Sequence, residues 1–397
     1  MSILRELRAL PPLQIIGAGT HTIPVPAGCV SWEAWLFGAG GSGASARDVE
    51  NYTKCTGGSA GSYAHIKRQL ILDTSFLTVV LGAGGAAVNA SLNNEAFAGN
   101  DGNSSSLTDG TLTLIVPAGG GGKVTIDATT APSSTASLTP TVNDDGNIDT
   151  ALGGVSGACI GTAATYQASG GGSSGGPWGN GMPSGAVLSG NYAATGGASP
   201  FFSSGTADGA NAMSGGAGIG GKSADSTGSG DSGGGGAFGP SIDLNPGPGE
   251  GPTNSTNNVA PAVGSTSGLL FEQRGSGRGG YSGGSIPLGD GGPGAGGAAQ
   301  YYTYPSGSYP VFAGHGGHMG GGGAIQPAGG GVVQGAYDRP DGGAFAGGGA
   351  AISATKPVYG GAGGLGAGGG AAVSSSSAAV SGKGGDAYVA IIFYATS

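Results

Sequence analysis

Glycine islands constrain this chain more than any other feature of its sequence. They recur at residues 119–122, 170–176, 228–236, 314–323 and 360–370, and glycine fills 95 of the 397 positions. Inside a helix, glycine costs about 1 kcal/mol relative to alanine and proline costs about 3 kcal/mol. With 22 prolines added to these glycines, a helical protein is excluded. Collagen is excluded as well, because the glycines keep no strict three-residue period.

The first 117 residues and the last segment follow a β pattern. Apolar alternation and turn residues predict strands over residues 20–25, 29–37, 62–72, 75–81, 104–107 and 111–116. Asp109-Gly110 predicts a hairpin between the last two of these strands. Residues 386–394 are apolar on both faces, which is typical of a central strand. We therefore predict a mostly β chain, with a β-sandwich formed by residues 19–122 and the closing strand in residues 382–397.

Residues 123–381 form a long glycine-rich excursion between these two parts. Ordering each residue costs about 1–2 kcal/mol of backbone entropy, and glycine costs more. Glycine islands have almost no side chains to bury, so only backbone hydrogen bonds can offset this cost. Polyglycine II helices, with three residues per turn and all backbone groups pointing sideways, meet that need. We predict such packing, with flexible glycine-serine linkers as the alternative.

Charge and cysteine content exclude several partners. The net charge is −9 and only 9% of the residues are charged, which argues against nucleic-acid binding. The longest segment without glycine or proline, residues 62–81, carries charges and is no membrane span. Residues 1–12 do not read as a signal peptide. Cys29, Cys55 and Cys159 match no zinc pattern, and we interpret them as small buried or half-buried thiols.

Glycine-based catalytic motifs occur, but each lacks its structural context. Residues 216–223 match the phosphate-binding P-loop pattern without the strand before it or the helix after it. Ser232 and Ser59 lie in glycine-serine patterns found around hydrolase nucleophiles. A serine nucleophile needs a histidine base, and His21 and His65 fall within predicted strands without a flanking motif. We therefore predict that the protein is not an enzyme and binds no cofactor.

His315 and His318 are the weak candidates for a metal site. Imidazole is a common metal ligand, but two histidines without cysteine or an acidic partner leave the ligand shell incomplete. We interpret them as surface histidines, or histidines at the edge of the glycine packing. A shell shared between several chains is the alternative.

Aromatic residues mark the candidate recognition surface. Four tyrosines fall within nine residues, and tyrosine and tryptophan offer wide, rigid, amphipathic contact area. A recognition loop and a local aromatic plug both fit this density. The candidate binding residues are Tyr301, Tyr302, Tyr304, Tyr309 and Phe312, together with Trp178.

Several segments resemble the glycine-rich domain of bacteriophage tail fibre and adhesin proteins. The opening match runs through residues 22–28 (TIPVPAG), 30–35 (VSWEAW) and 38–41 (GAGG). Residues 57–64 then lead to residues 80–85. At the other end, Gly384-Gly385-Asp386 leads into the closing strand. The resemblance covers about residues 20–122 and 382–395.

This resemblance implies polyglycine II helices whose connecting loops bind the host surface. It predicts a virion protein of a tailed phage, a tail fibre or fibre-tip adhesin, commonly a homotrimer. Its partners would be other tail or fibre proteins and a bacterial surface glycan or outer-membrane protein, without nucleic acid or membrane insertion. A purely structural decoration or fibre-shaft protein is the first alternative, and an extracellular ice-binding or matrix protein is the second.

The N-terminal segment, residues 1–18, is predicted to dock on another surface. Ile3, Leu4, Leu7 and Leu10 would share one side of a short helix over residues 2–10. A helix of nine residues is marginal alone. It would therefore dock either on the sandwich of its own chain or on a virion partner.

Overall fold

Strands dominate the parts of the chain that the structure describes. The computed structural model describes residues 7–47, 53–71, 75–126, 133–143, 148–160, 166–188, 192–197, 207–208, 226–227, 297, 300–302, 310–311, 314–316, 319, 321–327, 332–333, 339–353 and 357–396. These ranges contain 28 strands and no helix, and therefore no helix that could cross a membrane. The prediction of a mostly β chain is confirmed.

The strands are numbered along the chain, and most of them are short. They are β1 (Leu7–Ala9), β2 (Leu13–Ile16), β3 (Gly19–Pro24), β4 (Cys29–Phe37), β5 (Ser45–Arg47), β6 (Lys54–Cys55), β7 (Tyr63–Leu70), β8 (Phe76–Leu81), β9 (Asn89–Ala90), β10 (Glu95–Phe97), β11 (Ser105–Thr108), β12 (Thr113–Val116), β13 (Val124–Thr125), β14 (Thr141–Val142), β15 (Ile148–Ala151), β16 (Gln167–Ala168), β17 (Tyr192–Ala193), β18 (Ala207–Asp208), β19 (Ser226–Thr227), β20 (Gln300–Tyr302), β21 (Pro310–Val311), β22 (Ile325–Pro327), β23 (Val332–Val333), β24 (Ala351–Ser353), β25 (Val358–Tyr359), β26 (Ala372–Ser374), β27 (Ala379–Val380) and β28 (Tyr388–Thr396).

Two antiparallel sheets are built mainly from the strands near the chain ends. The terminal sheet has the order β1-β28-β4-β7-β15, and β2 also pairs with β28. The hairpin sheet has the order β14-β12-β11-β8-β3. Strands β14 and β15 follow residue 122, so the glycine-rich excursion supplies an edge strand to each sheet.

The inner faces of these two sheets form one hydrophobic core. Alternation along β4 turns Trp32, Ala34 and Leu36 inward, where all three are buried. Leu107 and Leu114 of the hairpin sheet belong to the same cluster. Fully burying a side chain such as leucine stabilises the fold by about 1.5–3 kcal/mol. This core therefore holds the first and last strands of the chain together.

Two local predictions are confirmed by the strand pairing. Strand β28 lies inside the terminal sheet, between β4 on one side and β1 and β2 on the other, as its apolar pattern indicates. Strands β11 and β12 form the expected hairpin. Its turn is closed by Asp109, whose Oδ1 accepts hydrogen bonds from the N–H groups of Thr111 (3.0 Å) and Leu112 (2.8 Å).

The N-terminal segment corrects one prediction. Leu7–Ala9 form β1 on the edge of β28, so the helix predicted over residues 2–10 is wrong at these positions. The N–H of Leu10 donates to the carbonyl of Phe393 (2.8 Å), and the Leu10 side chain packs against the core. A strand satisfies the backbone groups at this edge, which a short helix would leave unpaired. Ile3 and Leu4 lie outside the described residues.

The glycine-rich part contributes short strands that pair mostly in parallel. The largest sheet that it joins has the order β10-β5-β26-β24-β22-β20, and the smaller groups are β13-β6-β16-β17, β25-β27-β9, β18-β19 and β21-β23. Strands β5, β6, β9 and β10 of these sheets come from residues 19–122. The buried residues around the largest sheet are mostly alanines, including Ala46, Ala324, Ala350 and Ala371. Such small side chains allow neighbouring backbones to lie close together.

Glycine-rich segments that adjoin these strands bind one another through their backbones. In residues 38–44, every third N–H donates to the same neighbour. Gly38, Gly41 and Ala44 donate to residues 56–62, Gly40 and Gly43 donate to residues 382–385, and Ser42 donates to Asn100. Residues 56, 59 and 62 donate in turn to residues 117–123. A period of three is what a backbone with three residues per turn produces. We call residues 38–44, 56–62, 117–123, 168–176, 340–350, 360–371 and 381–387 the glycine segments.

Glycine is required where these segments approach each other. A methyl carbon on Gly58 would overlap the carbonyl of Gly41, and one on Gly43 would overlap the carbonyl of Gly370. The two backbones would have to separate, which would break the hydrogen bonds between them. The glycine segments therefore form a core made of main chain, beside the side-chain core of the two sheets.

Candidate functional site

The outer face of the terminal sheet carries a concentration of aromatic and charged side chains. Alternation along β4 turns Glu33, Trp35 and Phe37 outward, opposite the buried Trp32, Ala34 and Leu36. Register then places Trp35 beside His65 of β7, and His65 beside Asp149 of β15. We call this surface the outer face.

His65 is held on three sides. Its Nε2 lies 2.6 Å from Glu33 Oε1, and its Nδ1 lies 3.5 Å from Asp149 Oδ2. Its ring stacks on Trp35 with centroids 4.8 Å apart and planes 7° from parallel. The other carboxylate oxygen of Glu33 accepts a hydrogen bond from the Tyr394 hydroxyl (2.7 Å). These contacts fix the imidazole, and with it the plane of the indole.

A charge pair lowers the pKa of Asp149, and burial raises the pKa of Tyr63. The Lys67 ammonium lies 2.8 Å from Asp149 Oδ1 and donates to it, which holds the pKa of Asp149 below its usual range. Burial raises the pKa of Tyr63 above its usual range, and the charges of Asp149 and Glu33 raise it further. The outer face thus keeps an ionised carboxylate and a neutral phenol side by side at neutral pH.

An aromatic cluster adjoins these charged residues. Phe37 contacts Tyr63, Phe345 and Tyr388, with ring centroids 4.8, 4.8 and 5.6 Å away. Phe345 comes from a glycine segment and has a left-handed backbone (φ 63°), which is unusual for a bulky residue. Trp178 meets it edge-on at 5.9 Å. The cluster therefore joins the glycine segments to the terminal sheet.

A cavity of about 340 Å³ opens beside the aromatic cluster. Its walls include Ile16 of β2, Leu365, and the ion pair of Lys383 with Asp386 (2.9 Å). The remaining walls are mostly glycine and alanine backbone. Its volume lies at the lower end of the range for small-molecule sites.

The structure describes only part of the predicted recognition surface. Trp178 is half-buried in the aromatic cluster, where its indole packs on Gly176. Tyr301 and Tyr302 lie in strand β20, and only their backbone is described. Tyr304, Tyr309 and Phe312 lie outside the described residues. The recognition loop and the aromatic plug therefore both remain predictions for this segment.

The predicted metal candidates are described in part. His315 Nδ1 accepts a hydrogen bond from the N–H of Asp341 (3.3 Å) and lies 3.9 Å from the Asp341 carboxylate. His318 lies outside the described residues. Within the described ranges, no three histidine, cysteine or acidic residues are grouped closely enough to hold a metal ion.

The serine and cysteine candidates have structural partners where they are described. Ser59 is buried among the glycine segments, where its hydroxyl donates to the carbonyl of Thr135 (2.5 Å). Residues 216–223 and Ser232 lie outside the described ranges. Cys55 and Cys159 are buried and Cys29 is half-buried, as predicted. Burial raises the pKa of Cys159 to about 12 and that of Cys55 well above its usual value.

Sequence reasoning missed the outer-face cluster. Sequence patterns place Glu33, Trp35 and Phe37 in the strand over residues 29–37 and His65 in the strand over residues 62–72, and assign them no shared site. The available signal was period-two spacing, which puts Glu33 with Trp35 and His65 with Lys67. Their meeting depends on the register between β4, β7 and β15, which no local pattern specifies.

Comparison with known proteins identifies a family for this chain. No curated protein matches this chain. The model of a glycine-rich domain family matches residues 16–251, which is more than half of the chain. The matched range includes β3, β4, β7, β8, β11 and β12 and several of the glycine segments. The protein therefore belongs to the glycine-rich domain family.

Proposed function

We propose that the protein is a virion structural protein of a tailed phage, a tail fibre or fibre-tip adhesin that binds the host cell surface. The resemblance of residues 20–122 and 382–395 to phage tail fibre and adhesin proteins supports this proposal. The resembling segments include glycine segments and the strands that enclose the side-chain core.

We further infer that the glycine segments pack as polyglycine II-type helices. The repeat of backbone hydrogen bonds at every third residue is the observation that carries this inference. Residues 168–174 support it, because Gly171 and Ser174 both donate to residues 345–348 while Gly172 donates to Gly58. Each segment thereby bonds to several neighbours, which makes the packed region rigid.

Rigidity is the property that an adhesin would use. A loop held by a stiff support loses little further entropy when it binds, so more of the contact energy remains as affinity. The connections between the glycine segments, including residues 300–312 with their tyrosines, would form the binding loops. A homotrimer would repeat these loops and multiply weak contacts through avidity.

Two measurements on the full chain test this proposal. Antibody labelling of phage particles in electron micrographs should place the chain at a fibre or at the tail tip. Purified chain should also bind host cells and reduce phage adsorption in proportion to its concentration. Assembly into particles without cell binding would favour a purely structural decoration or shaft protein, and absence from particles would contradict a virion role.

A further inference from the structure

A notch in the outer face begins at the small residue Ala390. The cross-strand row through this point is Gln14, Ala390, Trp35, His65 and Asp149. Residues directly opposite each other in a sheet point to the same side. Ala390 therefore leaves a gap between the longer side chains of Gln14 and Trp35.

The indole of Trp35 forms one wall of this notch. His65 covers one face of the indole, with its ring nearly parallel to it. Ala390 is the neighbour of Trp35 on the opposite side, so the other indole face looks over a methyl group. Trp35 and Ala390 are both half-buried, and Gln14 is exposed. A flat ligand could thus lie on Ala390 and against the indole.

Polar groups border the notch. Glu33 lies two residues from Trp35 on the same side of β4, with the Tyr394 hydroxyl bound to its Oε2. Gln14 offers an amide that both donates and accepts hydrogen bonds. Tyr388 and Ile392 flank Ala390 on the same side of β28, so the border also has an apolar part. An aromatic plane bordered by carboxylate, amide and phenol groups matches a sugar ring, which has an apolar C–H face and hydroxyls around its edge.

The charges of this face favour an uncharged ligand. Lys67 and His65 both lie against carboxylates, namely Asp149 and Glu33. The net charge of the chain is −9, which would repel anionic ligands. An uncharged glycan supplies hydroxyl donors for the carboxylate oxygens without this repulsion.

The notch continues toward the cavity beside the aromatic cluster. Gln14 borders the notch, and Ile16 lines the cavity two residues along the same side of β2. Two residues of a strand span about 7 Å, so the two features are neighbours. A linear oligosaccharide could follow this path, with one ring on Trp35 and the next units toward Lys383 and Asp386.

We propose that the outer face binds an uncharged glycan, with one sugar ring stacked on Trp35 above Ala390. The inference deepens the proposed function by naming a ligand class, and its biological meaning rests on that function. The geometry of the outer face does not depend on the proposed function. None of the residues that form the notch belongs to the tyrosine-rich segment 301–309.

The test measures binding of the purified full chain to immobilised oligosaccharides. Linear glucan, mannan and galactan oligomers are the uncharged probes, and a polygalacturonate oligomer is the charged counterpart. We expect binding to at least one uncharged probe and weaker binding to the charged one. Trp35→Ala should weaken binding about ten-fold or more, because the stacking surface is lost.

Two further variants separate binding from folding. Ala390→Leu fills the notch from a half-buried position on the outer face, and it should abolish glycan binding with little change in the melting temperature. Phe76→Ala is the matched control for Trp35→Ala, since Phe76 is an aromatic residue that is 50% exposed on the hairpin sheet. It should bind glycans as the wild type does.

Several outcomes would overturn the inference. These are failure of all uncharged probes to bind, wild-type binding by Ala390→Leu, and self-association through this face without glycan binding. Host-cell binding by Ala390→Leu together with failure of every glycan probe would overturn the glycan inference and leave the adhesin proposal standing. If the wild-type chain binds a glycan probe but does not bind host cells, the adhesin proposal is contradicted and the glycan inference stands.

Discussion

Between the terminal and hairpin sheets, Trp32, Leu36 and Leu107 fill the space between two backbones, whereas at Gly58 two backbones touch directly. The first arrangement depends on side-chain volume and the second on its absence. A change in side-chain size therefore has opposite consequences for stability in the two regions. Removing carbon atoms should damage the sheets, and adding them should damage the glycine segments.

The largest expected effect comes from adding one methyl group to a glycine segment. Gly58→Ala would push its new carbon into the carbonyl of Gly41. We expect a loss of about 3 kcal/mol or more in the free energy of unfolding, since backbone cannot move aside as a side chain can. Denaturant titration measures this loss.

Gly110→Ala is the matched control for that substitution. Gly110 lies in the β11–β12 turn with φ +96° and no atom within 4 Å of a new methyl group. Only the left-handed backbone should matter there, at about 1 kcal/mol. Equal losses in the two variants would mean that the close approach at Gly58 is unimportant.

A loss of similar or smaller size is expected from removing atoms in the side-chain core. Leu36→Ala leaves a cavity between the two sheets and should cost about 2–5 kcal/mol in denaturant titration. Leu138→Ala, at a leucine that is 72% exposed, should change stability by less than about 0.5 kcal/mol. A similar result for both leucines would argue against a shared core.

Removing the hydroxyl of a serine between the glycine segments should cause a smaller loss of stability than the two substitutions above. Ser59 Oγ donates to the Thr135 carbonyl (2.5 Å) and accepts from the Gly120 N–H (2.6 Å). Ser59→Ala creates no overlap but leaves both backbone groups unpaired, and we expect a loss of about 1–3 kcal/mol. Thr111→Ala, at an exposed hydroxyl, serves as the control. If Ser59→Ala lowers the free energy of unfolding no more than Thr111→Ala does, the Ser59 hydrogen bonds are dispensable.

The smallest expected effect is electrostatic and depends on pH. Lys67 lowers the pKa of Asp149, so this carboxylate stabilises the fold above its unfolded pKa. The contribution is lost as pH falls through its folded pKa. Because the side chain is 56% exposed, Asp149→Asn should cost at most about 1 kcal/mol at neutral pH. The difference from wild type should vanish in acid, as followed by melting temperature.

A double substitution identifies the partner in this pH effect. Lys67→Met should reproduce the loss of Asp149→Asn, and the combined variant should lose little more than either single variant. Additive losses would instead mean that Asp149 acts through His65 or the backbone.

The fold was predictable where local pattern decides the structure. Alternating apolar residues mark β4 and β8, and an apolar pattern on both faces marks β28. Asp109-Gly110 marks the hairpin because its turn chemistry is local. The N-terminal helix was mispredicted because Leu7 and Leu10 suit either a helix or a strand. The choice was made by the free edge of β28, which is distant in sequence.

The outer-face site was less predictable for the same reason. Trp35, His65 and Asp149 come from three strands, and their alignment depends on long-range register. The notch adds a residue with no chemical signature, Ala390, whose importance is only that it is small. Sequence patterns identify functional groups, but they do not identify the gaps between them.

The position of β28 has a consequence for synthesis of the protein. This strand fills the middle of the terminal sheet, yet it is translated hundreds of residues after β4. Until it arrives, a nascent chain exposes the edge of β4 and an unfilled core, which favours slow folding and aggregation. A frameshift that removes β28 would therefore deprive both β4 and β2 of the neighbour they share.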